Sequence, residues 1–214
     1  MLETQPGILA IWNDCVPGRE AEFEAWFQTE HLLERLSLPG FLFGRRHQAI
    51  RGSSRYFNFY VTQSPDTLTS KPYLERLDNP TPMTRKIMSE VFINMSRTVC
   101  RRTVRAGAFR GAFAIAVRFA DKPDEAALKS QLDVLMQEPG VAGGEIWIAL
   151  DLAGMPIFMD EKLRGGDRKI QGCLLVDTLR QDDAEKLGTR LAAQFPKAEI
   201  GVFRVLCQGG RADL

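Results

Sequence analysis

The chain has 214 residues but only two histidines, His31 and His47, so mechanisms that need several imidazoles are excluded at once. Four cysteines, Cys15, Cys100, Cys173 and Cys207, stand far apart, with no Cys-x-x-Cys pair and no histidine cluster. That spacing offers no zinc site, so no metal is expected and the thiols read as reduced and partly buried. Charge of one sign is also missing. Lys and Arg number 28 against 27 Asp and Glu, a net charge of +1, which gives no field to draw the molecule to nucleic acid or to an anionic membrane. The longest apolar runs, residues 111–117 and 146–150, fall well short of the roughly 20 residues that span a bilayer. Residues 1–7 are polar and include Glu3, so no basic-then-apolar leader opens the sequence and a cytoplasmic protein is expected. There is no Gly-rich phosphate loop, no G-x-S-x-G elbow and no H-E-x-x-H pair.

What is present is an ordinary globular balance, 44% hydrophobic and 26% charged, in a strongly ordered pattern. Residues 7–15 form a short apolar run closed by Val16-Pro17-Gly18, which reads as a strand and a turn. Residues 19–38 carry Phe23, Trp26, Phe27, Leu33 and Leu36 on one stripe, with Glu20, Glu22 and Glu24 near the start where negative charge suits the helix dipole. Pro39-Gly40 ends that helix. Residues 41–50 and 55–63 read as a hairpin, 64–77 and 84–92 as helical segments that Pro72, Pro80 and Pro82 keep separate, and 95–105 as a fourth strand.

The second half repeats the order. Strands are expected at 109–119, 144–152, 170–179 and 198–208, and helices at 123–138 and 181–195. Pro39-Gly40 and Pro139-Gly140 lie 100 positions apart, and at the same offset Leu32 matches Leu132. Two tandem β-α-β-β-α-β units follow, at 1–106 and 107–214, the second with an insert at 153–167 that reads as a loop over one face. Each sheet has helices on one face only, while Phe57 and Phe59 alternate with Tyr56 and Tyr60, so both faces need cover. The fold class expected is α+β: two ferredoxin-like repeats whose sheets pack into one barrel within the chain. Such a chain can be a monomer, or a homodimer through helices or edge strands.

Phe23-x-x-Trp26-Phe27-x-x-x-His31, followed by Leu38-Pro39-Gly40-Phe41, resembles a motif of the dimeric α+β barrel superfamily, with the nearest likeness to EthD-like proteins and antibiotic-biosynthesis monooxygenases. The motif covers the first half; the second matches by element order and by the Pro-Gly stop. The resemblance implies a small-molecule enzyme of the EthD-like or cofactor-free monooxygenase type, an oxygenase or isomerase, acting on an aromatic or polyketide-like carbonyl compound. The alternative is a barrel that binds a small ligand, or serves in a stress response, without catalysis. No cofactor is expected. Haem is disfavoured because residues 65–92 hold no histidine where haem-using relatives place their axial ligand.

His31 lies at the edge of the apolar stripe and can reach the space between helix and sheet. The resemblance gives it a proton-transfer or orienting role, which an imidazole suits; the plainer reading is a ring bonded to a neighbouring backbone group. The matched position in the second half is Gln131, which cannot exchange a proton near neutral pH, so any site falls in the first half. Asn13 would orient a substrate oxygen or cap the turn beside it. Trp26 would wall the pocket or pack the core. Of Arg45 and Arg46 only one can face inward, and Arg46 is assigned to an anionic substrate group. Tyr60, or Tyr73, would donate to a ligand oxygen. Arg97, Arg101, Arg102 and Arg105 read as a solvated, salt-bridged edge strand rather than an RNA surface. An enzyme site requires His31 to line a cavity of a few hundred cubic ångströms (~300 or more) with at least two polar side chains from the sheet.

Overall fold

A computed structural model describes residues 5–152, 158–163 and 165–213. The first half runs β1 (Gly7–Cys15), α1 (Glu20–Trp26), a π-helical turn (Phe27–His31), α2 (Leu32–Ser37), β2 (Phe41–Arg51), β3 (Tyr56–Thr62), a 3-10 turn (Pro65–Thr69), α3 (Lys71–Asp78), α4 (Pro82–Glu90) and β4 (Phe92–Ala106). The second runs β5 (Phe113–Phe119), α5 (Glu125–Leu135), β6 (Val141–Ala149), α6 (Met159–Leu163), β7 (Gly172–Thr178), α7 (Gln181–Gln194) and β8 (Glu199–Gly210). Of the insert expected at 153–167, residues 153–157 and 164 lie outside the described residues; the remainder includes α6.

The eight strands close into one antiparallel barrel in the order β1-β3-β2-β8-β5-β7-β6-β4. Within that circle β4-β1-β3-β2 and β8-β5-β7-β6 are two copies of the ferredoxin-like order. They join at two seams, β2 with β8 and β4 with β6. Both edges of each sheet are thereby paired, and neither is left to template another chain. The expectation of a solvated edge strand at residues 95–105 is corrected by this closure: β4 pairs on both sides, with β1 and β6.

The two halves repeat in detail. Gly40 and Gly140 have φ of +85° and +89°, a conformation that glycine alone adopts without strain, so each Pro-Gly pair turns the chain from helix into strand. Gly44 and Gly144 face the helices: a Cβ on Gly44 would lie 2.7 Å from Leu32 Cδ1, and one on Gly144 would lie 2.5 Å from Leu132 Cδ1. Each helix therefore sits on its sheet through a leucine pressed against a glycine 12 residues later.

Alternation along the strands divides the core in three. Trp12, Phe57, Phe59, Trp147, Leu175 and Phe203 fill the barrel interior, where Trp12 and Phe57 stack at 4.7 Å. Leu9, Ile11, Tyr56 and Tyr60 face the first-half helices, and Ile115, Val117, Leu174 and Val176 face those of the second. Burying each large side chain contributes roughly 1.5–3 kcal/mol, so the three layers supply most of the driving force.

Two local expectations change. The strand expected from residue 109 begins at Phe113. Phe109 is exposed, while Arg110 turns inward and donates to Glu145 at 2.8 Å, which ends the pairing there. On the first helix Leu33 was expected inward, yet it is exposed and Leu32 is buried. The π turn is the reason: Leu32 N–H bonds to the carbonyl of Phe27, five residues back, so the inward stripe steps from Phe27 to Leu32 rather than to Leu33.

Candidate functional site

The π turn also sets His31. Its extra residue keeps Trp26, Phe27, His31 and Leu32 all turned to the sheet, a run that a regular helix would carry partly outward. The turn is pinned from outside. Trp26 Nε1 donates to Thr84 Oγ1 at 3.0 Å, and the hydroxyls of Thr84 and Thr81 donate to Glu30 at 2.7 and 2.6 Å. The His31 ring then lies 4.3 Å from Trp26, 5.5 Å from Phe27 and 6.3 Å from Tyr60, centroid to centroid.

The sheet beneath is polar. Asn58 and Tyr60 of β3 face the helices, with Arg97 of β4 beside them and Arg35 and Tyr73 above. Arg97 Nη2 donates to Tyr73 Oη at 2.6 Å, and the Arg35 guanidinium stands 5.6 Å from the Tyr73 ring. Burial pushes the Tyr60 phenol well above its ordinary range, so it keeps its proton and remains a donor. Tyr60 Oη and Arg35 Nη1 are buried without a hydrogen-bond acceptor among the described residues, although the Glu34 carboxylate lies 3.8 Å from Arg35.

Of the other expected residues, Arg46 is inward and 1% exposed, clamped at 4.5, 4.3 and 4.9 Å from the rings of Phe23, Phe27 and Tyr56. Its Nε and Nη2 find no hydrogen-bond acceptor among the described residues; Glu24 is 4.0 Å away. Burial lowers its pKa. Asn13 is fully buried but acts through a neighbour: its Oδ1 accepts from Asn58 Nδ2 at 3.3 Å, and its Nδ2 donates to the Asp14 carbonyl at 3.1 Å. Trp26 packs against the imidazole and does not line the space. The expectation that only one of the two arginines turns inward is corrected, because both faces of β2 are covered: Arg45 is buried too, facing the barrel interior, where it pairs with Asp177 at 2.6 Å. Sequence reading missed Arg35 and Arg97 as members of the group; strand alternation puts Asn58 on one face with Tyr56 and Tyr60, though without a role of its own.

The space bounded by His31, Arg35, Asn58, Tyr60 and Arg97 holds about 20 Å³, room for one water. Against it, sharing Leu77 and Arg97, lies a cavity of about 640 Å³ whose walls include Leu68, Thr98, Lys122 and Ile170. His31 has the polar neighbours that an enzyme site requires, but the space it lines falls short of the required volume, and the cavity of that size is not lined by His31.

The matched space in the second half is different in kind. Gln131 lies outside it, bonded to Gln194 across α5 and α7 at 2.5 Å. At the offset of 100, Arg46 is matched by Ile146, and Leu174 and Val176 occupy the helix-facing places on β7. The basic residues of β4 beyond Arg97 are committed to ion pairs: Arg101 with Glu125 at 3.0 Å, and Arg102 and Arg105 with Glu145 at 3.4 and 2.6 Å. Among the described residues no cluster of three or more His, Cys, Asp or Glu is placed to hold a metal ion, and no helix is long and apolar enough to cross a membrane.

No protein-family model and no curated protein matches the sequence. Solved structures do match the fold over nearly the whole chain. An anthrone oxidase-like protein superposes with a TM-score of 0.66 at 12% identity, covering 98% of this chain and 94% of its own. A Fusobacterium nucleatum protein provisionally described as a monooxygenase gives 0.62 at 9% identity, covering 98% and 96%. The fold is that of the ferredoxin-like α+β barrels. A haem-binding protein from Thermus thermophilus also superposes, at 0.50 and 10% identity over 95% and 92% of the two chains. That neighbour corrects the expectation that no cofactor applies and that haem is disfavoured, because the same architecture houses haem elsewhere. In this chain the group's needs are met in separate places. Among the described residues the larger cavity has no His, Cys, Met or Tyr in its lining to serve as axial ligand, and the space at His31 does not take a macrocycle. As built, the residues do not fit haem, and no step below runs through it.

Proposed function

We propose that the chain is a small-molecule enzyme of monooxygenase type, with EthD-like character, acting on aromatic or polyketide-like carbonyl compounds at a site within residues 1–106. The observation that carries this reading is the contrast between two matched helix–sheet spaces. One is filled by a cluster of apolar side chains; the other holds a histidine, a protonated phenol and buried guanidinium groups beside a cavity of ligand size. In this reading the substrate lies in the larger cavity with its reacting edge toward His31, past Arg97 and Leu77. His31 accepts a proton from the activated carbon or phenol. Tyr60, Arg35 and Arg46 stabilise the negative charge that develops on the oxygen, Asn13 holds Asn58 in place, and Trp26 backs the imidazole. On a methylene flanked by aromatic rings the overall change is oxidation to a ketone by dioxygen: one oxygen atom becomes the carbonyl, and the other leaves as water with the two methylene hydrogens.

A second reading, ligand binding without turnover, is favoured by the small volume at His31. Oxygen-uptake assays separate the two, with anthrone, naphthol and lactone substrates, on the protein alone and after incubation with hemin. The enzyme reading expects substrate-dependent uptake that His31→Ala reduces by about 100-fold or more, the usual worth of a general base. Ligand-dependent thermal stabilisation with no uptake under either condition would establish the second reading.

A further inference from the structure

The space at His31 is closed by a residue from the other half of the chain. Helix α6 lies against α3 and α4 of the first half, and Asp160 at its second position is 4% exposed, in the wall of the space formed by His31, Arg35, Tyr60 and Arg97. The carboxylate acts electrostatically on Arg97. The surroundings are rich in donors and in positive charge: Arg35, Arg97 and the Tyr60 hydroxyl share the lining of this space with one carboxylate brought from outside.

Helix α6 is short. It has five residues, too few for a stable helix of its own. Among the described residues Met159 N–H bonds to Asp78 Oδ1 at 3.2 Å, and Phe158 and Leu163 are partly buried against the first-half core. By contrast the chain just after it is anchored to β4: Arg168 N–H bonds to the Met95 carbonyl and Arg97 N–H to the Arg168 carbonyl, each at 3.0 Å. A five-residue element on the outside of a fixed strand is the kind that opens locally at low cost. Phe158 and Glu161 also line the 640 Å³ cavity, so outward movement of α6 merges that cavity with the space at His31.

We propose that Asp160 is an internal stand-in for the ligand's own anionic group, and that the ligand is an aromatic acid, a carboxylate or ionised enol, which displaces α6 and sets its charge on Arg35 and Arg97. The inference rests on the site assigned above and adds to it the charge of the ligand and the element that yields to it. An apolar ring system lies along Leu68 and Leu77, while the acid replaces Asp160 among the donors. In the closed state Asp160 both occupies the place and repels a second anion.

The test is binding, not turnover, so its failure is distinct from failure of the enzyme reading. Calorimetric titration of the full chain with 1-hydroxy-2-naphthoate, and with neutral 2-methoxynaphthalene, compares the native protein with Asp160→Asn. The amide keeps the shape and removes the charge, so the acid binds about tenfold tighter to the variant while the neutral compound is unchanged. Equal or weaker binding of the acid, an equal gain for the neutral compound, or no binding of the acid to either protein overturns the proposal. On the native protein, saturation with the acid should speed tryptic cleavage at the exposed Lys162 several-fold; an unchanged or slower rate overturns it even if Asp160→Asn does not fold. A positive outcome without oxygen uptake would retain this proposal and remove the enzyme.

Discussion

Arg46 and Ile146 stand at matched places on β2 and β6, 100 residues apart, and only Arg46 brings a charge beneath its helix. In the second half the same place belongs to an unbroken apolar cluster. Nothing in the barrel requires a cation there, so the guanidinium is kept at the expense of its hydration. Replacing a buried charge by an apolar side chain is often neutral or stabilising, while the three ring contacts of Arg46 oppose the gain. Arg46→Ile is therefore expected to change the unfolding free energy by no more than about 1 kcal/mol in urea melts. The same variant should lower substrate-dependent oxygen uptake about tenfold, the worth of one charge-assisted hydrogen bond to the developing oxyanion. A large loss of stability would make Arg46 a structural residue.

Glu145 presents the opposite case. It is 1% exposed and accepts from Arg105 at 2.6 Å, Arg110 at 2.8 Å, Arg102 at 3.4 Å and Trp147 Nε1 at 2.8 Å. Burial raises its pKa, and the arginines with the indole more than offset that, leaving it below the ordinary value. Its contribution is therefore present above the unfolded pKa near 4.5 and is lost as pH falls through the lower folded value. Glu145→Gln removes the charge that three guanidinium groups share, so a cost of about 3–5 kcal/mol is expected in urea melts at pH 7, enough to unfold much of the protein at modest denaturant. Oxygen uptake and ligand binding by the folded fraction should be unaffected, because Glu145 faces away from His31.

The repeat was legible in sequence because its markers are local. Pro39-Gly40 and Pro139-Gly140 fix two helix ends by backbone conformation, and Leu32 with Leu132 marks the matched helix contacts. Tyr60 and Arg46 were legible as inward residues because strand alternation is a local rule. Arg97 was misread because its backbone partner, the chain at Arg168, lies about 70 residues away, and only the return of the second half against β4 turns an edge into a middle. Asp160 was invisible for the same reason: no pattern within the second half says that a short helix crosses to the first. The π turn left a trace that went unread. The step from Phe27 to Leu32 is five residues, one more than a regular helix allows on a single stripe.

His47 supplies a pH dependence unrelated to the site. It is fully buried in the barrel interior, stacked on Phe57 at 4.8 Å, with Nδ1 3.1 Å from the Phe57 carbonyl. Burial first, then the charges of Arg45 and Arg110, lower its pKa well below 6.5, so the ring is neutral in the folded protein. The unfolded chain takes up a proton below about 6.5 that the folded chain refuses. Stability from this residue is therefore full above pH 6.5 and falls as the pH drops from there toward the folded pKa, at up to about 1.4 kcal/mol per pH unit. Urea melts at pH 7.5 and 5.5 should show this loss in the native protein and a smaller one in His47→Leu, whatever the variant's baseline stability. Equal pH slopes would mean that water reaches the ring.

The π turn offers the last separation of fold from function. The inward residues before it, Phe23, Trp26 and Phe27, and after it, Leu32, Arg35 and Leu36, are each in helical register, and one extra residue between them breaks the common stripe. Deleting the exposed Gln28 restores a regular spacing across the junction, so both segments can still face the sheet. The shortened helix regains the hydrogen bonds that the wide turn forgoes, and thermal stability should be equal to or above that of the native protein. His31, however, loses the displacement that sets its ring between Trp26 and Tyr60. Oxygen uptake, or binding of 1-hydroxy-2-naphthoate if the protein only binds, should fall to the level of His31→Ala while circular dichroism keeps its native form. A deletion variant that unfolds would show that the turn serves packing. One that folds and retains full activity would show that the position of His31 is not what the extra residue secures.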